Sequence, residues 1–260
     1  MGTQGGMRAA IDPSRLGMRA LVTRPRVEAA TLAEALAERG VAALLEPLLD
    51  IHYRDPGHKP DLAGVQAVLC TSANGVRAFA RLSRERAVPI FAVGDATAAQ
   101  ARAAGFPEVH SADGAVGDLV ALVGGRLRPE AGRLLHIAGS VVAGDLSGEL
   151  RARGFSVDRA VLYEAQPVGT LSAATMRALA AGIVDFALFF SPRTAAIFTR
   201  LVDQAGIAAA MRHVTAISIS AAADAALDPL RFRARRVAGR PNQPALLAAL
   251  DRLVEERRLA

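Results

Sequence analysis

The pattern of this chain occurs twice, and that constrains its fold more than any single motif. Leu21-Val22-Thr23, followed by Leu32-Ala33-Glu34-Ala35-Leu36-Ala37-Glu38-Arg39-Gly40, is answered by Leu135-His136-Ile137 and then Leu146-Ser147-Gly148-Glu149-Leu150-Arg151-Ala152-Arg153-Gly154, at an offset of 114 residues. Val68-Leu69-Cys70-Thr71-Ser72-Ala73-Asn74 with Phe79 is answered by Ala187-Leu188-Phe189-Phe190-Ser191-Pro192-Arg193 with Phe198, at an offset of 119. Two offsets so nearly equal mark one structural pattern used twice. Each copy also closes alike, on a helical stretch (116–123 and 244–254) preceded by a short strand and a polar loop.

The unit that repeats is strand, turn, helix. Ala20-Leu21-Val22 is a short apolar strand and Thr23-Arg24-Pro25 a turn. A helix from Arg26 to Arg39 ends at Gly40, with proline near its start and glycine just past its end. Within it Val27, Ala30, Leu32, Ala35 and Leu36 recur at helical spacing, as a face lying on a sheet requires. Strands are likewise expected at 42–45, 67–70 and 90–93, and helices at 73–82 and 96–104. Such alternation predicts parallel β-structure with crossover helices.

At 260 residues the chain exceeds one comfortable core. The segments 46–53 and 161–168 each carry a tyrosine and a proline and read as extended. Paired antiparallel, they would make a hinge. The expected fold is therefore α/β, two parallel-sheet lobes joined by a two-stranded β hinge. Lobe 1 would be discontinuous (18–47 plus 169–260), lobe 2 would span 54–160, and 48–53 with 161–168 would form the hinge. Residues 1–17, Gly-rich and aperiodic, read as a flexible extension without the apolar core of a secretion signal.

No apolar run approaches the roughly 20 residues that cross a bilayer. Cys70 is the sole cysteine, so an intramolecular disulfide and a cysteine-rich metal site are ruled out, and a reducing cytoplasm is expected. The formal net charge is +6, carried by 30 arginines and one lysine, and favours an acidic small-molecule ligand. Nucleic acid is not expected as a partner. The one dense cluster, Arg231, Arg233, Arg235 and Arg236, has few aromatic side chains to stack bases and reads as a solvated edge. The chain is expected to act as a monomer.

In doubly wound sheets, ligands sit beyond the carboxyl ends of the strands, where helix N-termini favour anions. The turns there are rich in hydroxyls: Thr23-Arg24, Thr71-Ser72-Ala73-Asn74, Gly94-Asp95-Ala96-Thr97, Ser140, Ser191-Pro192-Arg193-Thr194 and Ser218-Ile219-Ser220. Any one could be a plain helix cap; six at matching strand ends point to a shared site. No glycine-rich dinucleotide fingerprint, phosphate-loop lysine, nucleophile elbow or paired-histidine zinc helix is present, so no cofactor and no metal are expected. The five histidines lack ligand spacing, and His136 reads as a core residue.

These residues resemble the uroporphyrinogen-III synthase family from Arg19 to about Val254. The likeness rests on Leu21-Val22-Thr23-Arg24-Pro25, Thr71-Ser72-Ala73-Asn74-Gly75-Val76, Ala92-Val93-Gly94-Asp95-Ala96-Thr97, Val161-Leu162-Tyr163-Glu164 and Phe190-Ser191-Pro192-Arg193, in that order and spacing. The resemblance implies two flavodoxin-like lobes. It also implies closure of the linear tetrapyrrole hydroxymethylbilane to uroporphyrinogen III, with inversion of ring D and loss of water, in heme biosynthesis. It places Arg24, Thr71, Ser72, Asn74, Gly94, Thr97, Ser191, Arg193 and Thr194 around the substrate, and makes Tyr163 either the donor to the leaving oxygen or a half-buried hinge tyrosine. The chain departs from the family at Ser218 and Ala221, where a glycine and a threonine are usual, so that Ser220 becomes the substitute hydroxyl. The rival reading is a non-catalytic cytosolic binding protein whose two lobes clamp an acidic small molecule.

Overall fold

The computed structural model describes residues 17–259 apart from 56, 113, 142 and 143, so the extension expected at 1–17 falls almost wholly outside the described residues. The chain opens with β1 (Met18–Val22), α1 (Arg26–Ala37), β2 (Val41–Leu45) and β3 (Leu49–Tyr53). Next come β4 (Val65–Cys70), α2 (Ala73–Leu82), β5 (Ile90–Ala92), α3 (Asp95–Ala103), β6 (Val109–Ser111) and α4 (Val116–Arg126). The second copy runs through β7 (Arg133–Gly139), α5 (Leu146–Arg151), β8 (Val157–Pro167), α6 (Ala173–Ala180), β9 (Phe186–Phe189) and α7 (Pro192–Gln204). It ends with β10 (Thr215–Ser218), α8 (Ala221–Ala225), β11 (Ala234–Val237) and α9 (Gln243–Leu259).

Two sheets result. One has the order β11-β10-β9-β1-β2, with every neighbouring pair parallel. The other has the order β3-β8-β7-β4-β5-β6, parallel from β8 to β6. Along β3 and β8 the backbone bonds Arg54 N–H to Leu162 O (2.8 Å) and Val168 N–H to Leu48 O (3.1 Å) run in opposite senses, so β3 adds an antiparallel edge and the sheet is mixed. The repeat is visible in the ordering: β2, β1, β9, β10 and β11 occupy the places taken by β8, β7, β4, β5 and β6. The chain divides into two compact units, 17–50 with 167–259, and 51–166.

In the first unit strand residues alternate between two cores, as the pleat demands. Leu21, Ala187, Phe189 and Ala216 pack under Leu179 of α6 and Phe198 and Leu201 of α7. Ala20, Val22, Phe186, Leu188 and Ile217 pack under Leu32 and Leu36 of α1 and Leu246 and Leu250 of α9. The second unit repeats the scheme. Val68, Cys70, Leu135 and Ile137 face Val76 and Phe79 of α2; Ala67, Leu69 and Leu134 face Leu119 and Val123 of α4 and Leu150 of α5.

The sequence expected one extended stretch over 46–53, but β3 begins only at Leu49. Glu46 is turned inward and buried, its carboxylate accepting from the first residues of α6. Of the arginine cluster, Arg235 on the edge strand β11 is not simply solvated. Its guanidinium grips Asp224 (Nη2 to Oδ2, 2.6 Å) and Asp228 (Nη1 to Oδ1, 2.7 Å), which holds its pKa above the ordinary arginine value.

Candidate functional site

In the unit 51–166, β4 turns through Thr71 and Ser72 into α2. Ser72 has extended backbone (φ −154°, ψ 155°), and its Oγ accepts the Gly75 N–H at 3.2 Å, the ordinary work of a serine N-cap. The same Oγ lies 2.8 Å from the Tyr163 hydroxyl. Tyr163 reaches it because β8 carries a bulge. The pairing with β7 passes from Ala138 opposite Val161 to Gly139 opposite Tyr163, leaving Leu162 as the extra residue. Leu162 and Tyr163, adjacent in sequence, consequently share one core, which unbroken alternation would forbid.

Tyr163 is only 8% exposed. Its ring crosses the end of β7 where Gly139 has no side chain; a Cβ there would stand 2.8 Å from the ring Cζ. Ser140, half-buried, donates its N–H to the Tyr163 carbonyl at 3.0 Å. Thr71 is half-buried. Asn74 Oδ1 accepts from Arg77 Nη1 (2.8 Å), and Arg77 Nε donates to Gln100 Oε1 (2.9 Å), which ties α2 to α3. Gly94 begins α3 without any side-chain cap, and a Cβ built on it would meet open space. Thr97 is buried in the first turn of that helix, its N–H bonded to Gly94 O at 3.0 Å. Cys70, at the end of β4, is buried, and burial pushes its thiol up to about 12.

In the unit formed by 17–50 and 167–259, Thr23 is buried and donates Oγ1 to the Leu188 carbonyl at 2.8 Å, fastening β1 to β9. Arg24 projects beyond it with its guanidinium 4.5 Å above the Phe190 ring, and Nη1 donates to Gln243 Oε1 at 2.7 Å. Ser191 caps α7 by accepting the Thr194 N–H at 3.1 Å, while Thr194 Oγ1, buried, donates to the Ser191 carbonyl. Arg193 is half-buried in the first turn. Ser220 caps α8 through the Ala223 N–H at 3.3 Å. Ser218 is fully buried, with Oγ 3.5 Å from Asp224 Oδ1.

Sequence reasoning missed three contributors here. Asn242 Oδ1 accepts the Ala245 N–H at 3.0 Å at the start of α9, and asparagine just before a Pro-led periodic stretch was a readable N-cap signal. Phe190 and Gln243, which hold Arg24, carried no local signal.

Each sheet thus ends in a rim of helix N-termini and hydroxyls, the class of α/β protein that takes anionic ligands at strand ends. Among the described residues no three His, Cys, Asp or Glu side chains could hold a metal ion, and no helix is long and apolar enough to cross a membrane. The chain belongs to the family described as uroporphyrinogen-III synthase HemD, whose model matches residues 30–248. It is an enzyme of tetrapyrrole biosynthesis, a cyclising lyase that closes hydroxymethylbilane to uroporphyrinogen III.

Solved structures agree on the fold. A mutant uroporphyrinogen III synthase from the extreme thermophile Thermus thermophilus is 21% identical, with a TM-score of 0.55 over 92% of this chain and 99% of that one. A uroporphyrinogen-III synthetase from Helicobacter pylori is 17% identical, with a TM-score of 0.60 over 91% of this chain and 99% of that one. Among curated proteins no match is found.

Proposed function

We propose that the enzyme folds the linear tetrapyrrole over polar groups at the strand ends and that Tyr163 protonates the departing hydroxyl. The observation that carries this is the Tyr163 hydroxyl beside Ser72 Oγ at the carboxyl-end rim of its sheet. Loss of the hydroxymethyl C–O bond sends its electron pair to oxygen, the phenol proton completes a water, and an azafulvene cation remains. The substituted carbon of ring D attacks that cation to give a spiro intermediate. That carbon's older bond to the methylene shared with ring C then breaks to give a second azafulvene cation, and the free α-carbon of ring D attacks that methylene and sheds the proton that restores the phenol. General-acid help of this kind is worth about 10²-fold or more, and positioning of a substrate already primed to react supplies several kcal/mol besides.

Arg24 and Arg193 meet substrate carboxylates, since a guanidinium pairs with them bidentately. Thr71, Asn74, Ser140, Ser191 and Ser220 offer polar groups to the same chain of acids, Ser72 acts on it through the Tyr163 hydroxyl, and Gly94 offers open backbone. The burial of Thr97, Thr194 and Ser218 supports a different part for them, building the helix starts, so that Ser220 supplies the hydroxyl at α8.

We read each unit as a flavodoxin-like lobe, 18–47 with 169–260 and 54–160, with 48–53 and 161–168 as a two-stranded hinge. The strand order β2-β1-β9-β10-β11 supports this, since it is the 2-1-3-4-5 order of that class. We read the enzyme as a cytoplasmic monomer that works without a cofactor; Cys70 as the sole cysteine supports the reducing compartment.

The test supplies enzymatically generated hydroxymethylbilane and separates the isomers formed. Wild type should give uroporphyrinogen III, and Tyr163→Phe should fold normally but turn over at least about 100-fold more slowly. An unchanged rate in Tyr163→Phe removes the tyrosine from the reaction. Only the spontaneous I isomer from wild type would leave a binding protein in place of the enzyme.

A further inference from the structure

Ser72 faces two partners at once. Its Oγ accepts the Gly75 N–H, and it lies 2.8 Å from Tyr163 Oη. A hydroxyl has one proton to give and two lone pairs to offer. With one lone pair committed to Gly75, its proton is available for the tyrosine oxygen. The opposite sense, Tyr163 donating to Ser72, would aim the phenol proton into the helix start and away from any substrate.

We infer that Ser72 is a positioning residue for Tyr163: it donates to Oη, which turns the phenol O–H outward, and it holds the phenolate once that proton has gone. The inference rests on the reading of Tyr163 as proton donor. During departure of the hydroxyl, the Tyr163 O–H bond breaks and its proton joins the leaving oxygen as water. The bonding pair stays on Oη as phenolate, balanced by the azafulvene cation, and the proton later released by ring D returns to it. A hydrogen bond to a charged oxygen is stronger than one to a neutral phenol, so the Ser72 contact strengthens as the transition state forms. Two further features act in the same direction. The N-terminus of α2, which Ser72 caps, carries partial positive charge. Gly139, lacking a side chain, lets the ring lie where its hydroxyl meets Ser72.

The experiment measures kcat and KM for uroporphyrinogen III formation, and thermal stability, in Ser72→Ala, Ser72→Gly, Ser72→Thr, Tyr163→Phe and the Ser72→Ala/Tyr163→Phe double variant. Ser72→Ala should lower kcat about 10- to 100-fold with KM little changed, the size of a lost hydrogen bond to a charged group. Ser72→Thr, which keeps the hydroxyl, should recover most of that rate. Ser72→Gly costs a helix cap only a few tenths of a kcal/mol, so it should stay folded yet be as slow as Ser72→Ala. In the Tyr163→Phe background, Ser72→Ala should cause no further loss.

An equal loss from Ser72→Ala in both backgrounds, or a fast Ser72→Gly, would overturn the inference and leave Ser72 as a cap or a direct substrate contact. A fully active Tyr163→Phe would instead overturn the donor reading beneath it. The two failures are thus told apart.

Discussion

Glu46, in the loop after β2, accepts the backbone N–H of Ser172 at 2.9 Å, 126 residues away in sequence. Ser172 caps α6 by taking the Thr175 N–H on its own Oγ, and Thr175 Oγ1 also donates to the Glu46 carboxylate. In a capping box a glutamate three residues after the serine would reach back to that serine's N–H. Here threonine holds that place, and the acid arrives from another part of the chain, next to the positive end of the helix.

Because Glu46 is only 4% exposed, its removal leaves buried donors without an acceptor. Glu46→Ala should cost about 2–4 kcal/mol in chemical denaturation. Glu46→Gln, which keeps one acceptor oxygen, should cost less than half as much. Equal losses would show that charge, not the acceptor at Ser172, fastens α6.

His136 lies in the middle of β7, 3% exposed, with Nδ1 3.3 Å from Ser147 Oγ and Nε2 without a hydrogen-bond partner among the described residues. Burial, aided by the charge of Arg159, lowers its pKa from 6.5 to about 4. The unfolded chain therefore binds a proton that the folded chain refuses as pH falls between those values. This contribution to stability is complete above pH 6.5 and is lost toward pH 4, at most about 3 kcal/mol in all. Denaturation midpoints measured from about pH 7.5 to 4 should fall less steeply in His136→Leu than in wild type. Parallel curves would show that the imidazole does not govern the acid limb.

Gly94 offers a different test, because its backbone is extended (φ −163°) and space is open around it. Nothing in the fold forbids a side chain there. Gly94→Val should change stability by less than about 1 kcal/mol, since glycine outranks valine at an N-cap by no more than that scale. If substrate carboxylates approach the start of α3, KM should rise about tenfold while the midpoint of unfolding stays near wild type. An unaltered KM would take Gly94 out of the binding rim.

Cys70 is the last residue of β4, buried, with its thiol pushed up to about 12. Thiolate is the reactive form. A disulfide reagent at about pH 8 should therefore leave native protein unlabelled for hours and label one thiol per chain at once in denaturant. Slow labelling without denaturant would time the opening of this core; fast labelling in native conditions would contradict its burial.

Much of the fold was legible because its causes are local. The alternating apolar strands, the helix from Arg26 and the caps at Ser72, Ser191 and Ser220 depend on residues a few positions apart, and periodicity exposes them. The site was less legible. The pattern of hydroxyls at strand ends groups Thr97, Thr194 and Ser218 with Ser72 and Ser220, because a hydroxyl there looks the same in sequence whether it is buried or half-buried. Their burial separates them from Ser72 and Ser220.

By itself the sequence determined a duplicated parallel α/β chain with polar strand ends, since composition, period and turn chemistry act over short stretches. The tertiary structure alone decided the pairings that cross long distances: Tyr163 with Ser72, Glu46 with Ser172, Arg24 with Gln243. They depend on strand order and, for Tyr163, on one extra residue in β8. No local signal carries these, because the contact forms only after strands far apart in the chain have become neighbours in a sheet.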